Sequence, residues 1–149
     1  MKFYISYFYN IRFFPENLVP VSTAISDPQW FHDYKGMTYF FKDKRNVWNG
    51  VNCKGLSPYK VNNIDCKKNC ELNPSTCAFI KGYSDYLHTL DFENIKKLLE
   101  VSCNKLQPNC DICLIVSEKP DNPCSERQSL INWFAENGVD LIEWNKSMA

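Results

Sequence analysis

Apolar positions change their spacing several times along this 149-residue chain, and each change marks an element. Lys2 to Tyr9 is rich in Tyr, Phe and Ile, a run that suits a buried strand better than a helix. Leu18-Val19-Pro20-Val21-Ser22 is a second β-prone run, whose proline predicts an edge position or a strand start. Asp27-Pro28 reads as an N-cap followed by proline at the first helical position, opening a short helix through Trp30 and Phe31. From Lys35 onward the period is lost among turn signals at Gly36, Asn49-Gly50, Gly55, Pro58 and Asn62-Asn63. Residues 35–76 therefore read as an insertion into a single domain spanning 1–149, and a loop that long needs something to organise it.

Helical spacing returns at Phe79, Ile80, Tyr83, Tyr86, Leu87 and Leu90, with Ser75 placed to cap the first turn and an end near Thr89. Asp91 caps a second helix, in which Phe92, Ile95, Leu98, Leu99 and Cys103 mark the apolar side before Pro108. Ile112-Cys113-Leu114-Ile115-Val116 is continuously apolar, as expected of a strand covered on both faces. A helix starting at Cys124 or Ser125 turns Leu130, Ile131 and Phe134 inward and stops at Asn137-Gly138. Val139 to Trp144 returns as a strand, which completes a βαβ unit with parallel strands. The expected fold is α/β, a small Rossmann-like parallel sheet flanked by helices, with a cysteine-containing insertion.

Composition narrows the function classes. With 44% hydrophobic and 23% charged residues, collagen-like, low-complexity and disordered readings are excluded. Seventeen basic residues balance seventeen acidic ones, so no long-range field draws in duplex DNA or anionic lipid. No stretch approaches the roughly 20 apolar residues that cross a bilayer. Met1 to Phe14 is interrupted by Ser6, Asn10 and Arg12 and lacks a small-residue cleavage site, so it does not read as a leader. The expectation is a cytoplasmic protein whose eight cysteines are thiols or metal thiolates.

In open parallel sheets, ligands bind beyond the carboxyl ends of the strands, and residues 117 to 127 occupy that place. This loop gathers Ser117, Glu118, Cys124, Ser125, Glu126 and Arg127 at a helix N-terminus, where unpaired N–H groups lower a thiol pKa and favour an anion. Cys124 is the candidate nucleophile and Arg127 the clamp for a phosphate or carboxylate, with Glu126 beside them as a third catalytic candidate. The plain structural alternative makes Ser125 a cap, Glu126 a first-turn acid and Arg127 a surface ion pair. Arg127 follows Cys124 too closely for a phosphatase-type or rhodanese-type loop, and neither GxGxxG nor GxxxxGK is present.

The ending CDICLIVSEKPDNPCSERQSLINWFAENGVDLIEW resembles the C-terminal signature of the domain-of-unknown-function 488 family, in which an apolar strand runs into a Glu-Lys-Pro-like loop, then Cys with a nearby Arg. The opening KFYISYFYNIRFF and LVPVSTAISDPQWF is similar to that family's first strand, arginine-bearing loop and Ser-containing strand. The family's Cys-His-Arg triplet is altered, since Ser125-Glu126 separates Cys124 from Arg127 and the histidine has no counterpart. The resemblance implies a small Rossmann-like domain with a pocket built by Cys124 and Arg127, approached by Arg12 and Ser22 from the first two strands. Glu118 and Ser125 of the loop are ligand-binding candidates by their residue types, and the resemblance implies no established reaction.

A second cluster lies in the insertion. Cys53, Cys66, Cys70 and Cys77 are spaced tightly enough to hold one structural zinc, against an iron–sulfur cluster or ordinary thiols. Cys103, Cys110 and Cys113 suit small-hydrophobe packing. Between residues 42 and 70, seven basic residues face two acidic ones, and Tyr39, Phe40, Phe41, Trp48 and Tyr59 lie in or beside this stretch, the mixture that stacks on single strands. The leading expectation is a protein that binds or processes a phosphorylated, nucleotide-like small molecule at the loop from Cys124 to Arg127. The alternatives are a non-catalytic protein of phage or defence context that sequesters a nucleotide signal or a partner, and a zinc-stabilised nucleic-acid-binding module.

Overall fold

The structure is a computed structural model and describes residues 1–33, 48–61, 76–122 and 125–149. Six parallel strands form the sheet: β1 (Phe3–Tyr7), β2 (Leu18–Ser22), β3 (Phe31–Asp33), β4 (Trp48–Asn52), β5 (Asp111–Val116) and β6 (Leu141–Glu143). Their spatial order is β3-β4-β2-β5-β1-β6. Among the described residues three α-helices, α1 (Ala78–Leu87), α2 (Phe92–Leu106) and α3 (Arg127–Glu136), accompany the sheet, so the α/β Rossmann-like expectation holds.

Side-chain alternation divides the core in two. Phe3 and Ile5 of β1, Val19 and Val21 of β2, and Ile112, Leu114 and Val116 of β5 face the helices, where Tyr83, Leu87, Leu99, Cys103, Leu130 and Phe134 meet them. On the other face Cys113 and Ile115 pack with Ile11, Phe14, Leu18, Phe31 and Trp144, and the 3-10 segment Phe8–Phe13 supplies part of this cover. β5 is thus buried on both faces, as its unbroken apolar run predicts.

The helix boundaries follow their signals. Asp91 caps α2 by accepting a hydrogen bond from the Asn94 N–H at 3.2 Å. Gly138 ends α3 with φ of +78°, a left-handed conformation that costs glycine least. β5 and β6 are both parallel to β1, which lies between them.

Two expectations need correction. Asp27-Pro28 opens no helix; the chain turns there and Phe31 starts β3. Asp27 is used differently, as an acceptor for side chains of β2 and β4. The Pro20 strand is also not at the edge, since β2 lies between β4 and β5. The proline is tolerated because β2 pairs with β4 only at Val21 and Ser22, one step after Pro20, leaving no ladder bond for its missing N–H.

Residues 48–52, inside the segment read as an insertion, form a strand of the main sheet. The pattern there gave no strand signal because Gly50 interrupts it, and Gly50 is needed for contact. A Cβ at that position would lie 2.6 Å from both the Phe31 ring and the Pro20 carbonyl oxygen. The other insertion residues, 34–47 and 62–75, lie outside the described residues, and with them Ser75 and most of the basic, aromatic stretch. Among the described residues no helix is long and apolar enough to cross a membrane.

Candidate functional site at the β2–β5 switch point

After β2 the chain moves toward β3 and β4, whereas after β5 it moves the opposite way, toward β6. The loops leaving these adjacent strands diverge, and that divergence opens a crevice at the carboxyl edge of the sheet. A cleft of about 250 Å³ occupies it, lined by Ala24, Ile25 and Ser26 from the β2 loop, Ser117 and Glu118 from the β5 loop, Glu126, Pro58 and Phe79.

The β2 wall is tied down. Thr23 continues the pairing with β5, its N–H and its hydroxyl both donating to the Ile115 carbonyl at 3.0 Å. The Ser22 hydroxyl donates to one oxygen of Asp27, and the Asn52 amide donates to the other at 2.7 Å. Lys54 Nζ donates to the carbonyls of Ile25 and Ala24 at 2.6 and 3.3 Å, so this lysine is engaged by the loop backbone.

The β5 wall is held by Arg127. Its Nε makes an ion pair with Glu143 on β6 at 2.6 Å, and Nη1 donates to the Glu118 carbonyl at 2.9 Å. The Arg127 side chain is 8% exposed, so the surface ion pair gives way to a buried strut joining the β5 loop, α3 and β6, and its Nη2 has no hydrogen-bond partner among the described residues. Burial raises the pKa of Glu143 and the neighbouring guanidinium opposes that rise. Ser125 accepts a hydrogen bond from the Arg127 N–H at 3.1 Å, the capping role of its structural alternative.

Glu126 is not a solvated first-turn acid. It is 2% exposed and lies on the cleft wall. Burial first, then the charge and hydrogen bonding of Glu118, raise its pKa from an ordinary 4.5 to about 8. The Arg127 guanidinium opposes that rise, and Tyr83, fully buried with its hydroxyl donating to the Leu56 carbonyl at 2.5 Å, has its own pKa raised by burial first and then by Glu126.

Compared with known proteins, the chain matches no family model, no curated protein and no solved structure. The site is therefore read from its own geometry.

That geometry brings Glu118 and Glu126 together on the cleft, with Arg127 directly behind them and Ser22 behind the other wall. Arg12 lies elsewhere: it is exposed, its Nε donates to the Tyr9 carbonyl at 2.9 Å, and its guanidinium covers the Tyr9 ring at 4.2 Å. Cys124 lies outside the described residues, as do Cys66 and Cys70 of the cysteine cluster. Cys53 and Cys77 are buried, and among the described residues no three His, Cys, Asp or Glu side chains are grouped to hold a metal. Cys103, Cys110 and Cys113 are buried as expected, and burial raises all three thiol pKa values, that of Cys110 to about 11. Asp27, Asn52 and Glu143 were missed as site residues, because their roles depend on strand neighbours far away in sequence.

Proposed function

We propose that the chain binds a small nucleotide-like molecule in the switch-point cleft, between residues 24–26 on one side and Ser117, Glu118 and Glu126 on the other. The coincidence of the cleft with the diverging loops of β2 and β5 carries this reading, since open α/β sheets place their ligands there. The volume of about 250 Å³ lies just under the range of roughly 300 to 1,000 Å³ usual for drug-sized ligands, and it suits the base of a nucleotide. Arg127 directs Nε to Glu143 and Nη1 to the Glu118 carbonyl, and its buried Nη2 has no hydrogen-bond partner among the described residues.

Amide-detected NMR titrations with adenosine monophosphate and guanosine monophosphate test the proposal. Shifts should concentrate at Ala24, Ile25, Ser26, Ser117 and Glu118. Ser117→Trp, which places an indole in the cleft from an exposed position, should weaken binding at least tenfold without moving the melting temperature. Unchanged affinity in that variant, or shifts confined to the groove beside Leu98 and Ser102, would show that the cleft is not the site.

A further inference from the structure

The described residues that line the switch-point cleft are of two kinds. Ile25, Pro58 and Phe79 are apolar, whereas Ser26, Ser117, Glu118 and Glu126 bring hydroxyl and carboxyl oxygens, and none of the described lining residues is a lysine or an arginine. The cations nearby support the walls without lining the cleft. Lys54 Nζ is held by the carbonyls of Ala24 and Ile25. Arg127 gives Nε to Glu143 and Nη1 to the Glu118 carbonyl, its charge acts on Glu126, and its Nη2 is buried with no partner among the described residues. Glu126 is almost wholly buried and still lines the cleft. Oε2 of Glu118 is buried and has no hydrogen-bond partner among the described residues, so one acceptor on this wall is open.

We propose that the cleft reads a vicinal diol, the two ribose hydroxyls of a nucleoside, with the carboxyl groups of Glu118 and Glu126 as their partners, and that it leaves a phosphate unread. This inference rests on the reading of the cleft as a ligand site. A carboxyl group offers two oxygens to two adjacent O–H donors, and each ligand hydroxyl can also accept from a serine hydroxyl, so a diol suits every polar side chain of the lining. Because the Arg127 charge already acts on Glu126 from behind the wall, the ligand need not bring a full positive charge of its own. A phosphate has acceptors in place of these donors, and in the cleft it meets carboxyl groups, whereas the Arg127 nitrogen without a partner is buried outside the lining. Free sugars carry the same diol, and the apolar residues Ile25, Pro58 and Phe79 favour the nucleoside, whose base they can cover.

Calorimetric titration of the unaltered protein with four probes tests this: adenosine, dideoxyadenosine (which lacks both ribose hydroxyls), adenosine monophosphate and D-ribose. Adenosine should bind roughly ten- to hundredfold more tightly than dideoxyadenosine, the loss expected when hydrogen bonds to a charged group are left unmade. Adenosine monophosphate should match adenosine to within a factor of about three, since the phosphate gains no partner in the cleft. D-ribose should bind at least about tenfold more weakly than adenosine, because it forfeits the apolar residues. Glu126→Leu, which removes one carboxyl group, should weaken adenosine and leave dideoxyadenosine unchanged, and the four-probe comparison decides the matter even where that variant does not fold. Equal affinities for adenosine and dideoxyadenosine overturn the diol reading while the cleft stands as a nucleotide site. A monophosphate bound more than about tenfold more tightly than adenosine overturns it too, and assigns the phosphate to Arg127 Nη2. D-ribose bound as tightly as adenosine overturns the nucleoside as the source of the diol. Failure of the cleft itself is read separately, from the Ser117→Trp variant and from the absence of binding by any nucleoside or nucleotide, which overturns both readings together.

Discussion

Two polar clusters lie at the same edge of the sheet, one at the end of β2 and one at the end of β5, and they differ in how their acids are treated. In the first, both oxygens of Asp27 receive side-chain hydrogen bonds, from Ser22 and Asn52. In the second, buried Glu126 shares the cleft wall with another acid, Glu118, and the Nε of Arg127 is directed to Glu143. An acid whose oxygens are filled by donors fixes the backbone around it. A buried acid on a cleft wall leaves its polar atoms beside open space. The first cluster is therefore a brace and the second borders the cleft, although the two are built from similar residue types.

The largest expected effect tests whether Arg127 belongs with the braces. Arg127→Ala leaves the Glu143 carboxylate without its partner, and loss of one member of a buried pair costs about 3 to 5 kcal/mol. Because Glu143 is 32% exposed, the lower end applies, about 3 kcal/mol or roughly 6 to 12 °C in melting temperature. Adding Glu143→Gln should recover most of it. A melt within a degree of the parent protein would return Arg127 to the ligand and erase the contrast.

A smaller loss is expected at the other cluster. Asp27→Ala strands the hydroxyl of fully buried Ser22, at about 1 to 3 kcal/mol. Amide exchange should quicken in residues 22–26 more than elsewhere. Exchange that speeds up equally across the sheet would show that Asp27 supports the whole edge and not one wall.

The smallest effect comes from a pair on the surface, which calibrates the other two. His88 Nε2 lies 2.6 Å from Glu136 and joins α1 to α3 with both side chains about half exposed. Its hydrogen bond with Glu136 raises the His88 pKa, so whatever it contributes is complete below the ordinary 6.5 and is lost as pH rises through the raised value. His88→Ala should cost less than about 1 kcal/mol at pH 5.5 and nothing measurable at pH 9. A cost that grows with pH would reverse the assignment.

The elements themselves were legible wherever one local signal decided them. The Leu18–Ser22 run matches β2 residue for residue, Asp91 caps α2, and Gly138 stops α3. Elements that depend on distant partners were not legible. β4 is a strand because β2 and β3 flank it, and Asp27 becomes an acceptor because Asn52, 25 residues away, reaches it. The location of the cleft followed from the strand-end rule, while the character of its walls did not. Sequence gives Arg127 a charge to offer, and the arrival of Glu143 from β6 takes it up in a buried ion pair.

The position of β1 between β5 and β6 has a consequence for how the chain is made. Both of its neighbours, β5 and β6, lie more than a hundred residues downstream, and the register pairs Phe3 with Ile112 and with Leu141. During synthesis at about 5 to 20 residues per second, the apolar FYISY segment emerges roughly 5 to 20 s before its first partner exists. For that interval a strand destined to be paired on both sides has no partner on either. Its protection then falls to a chaperone, or to the speed with which the last third of the molecule follows it out of the ribosome.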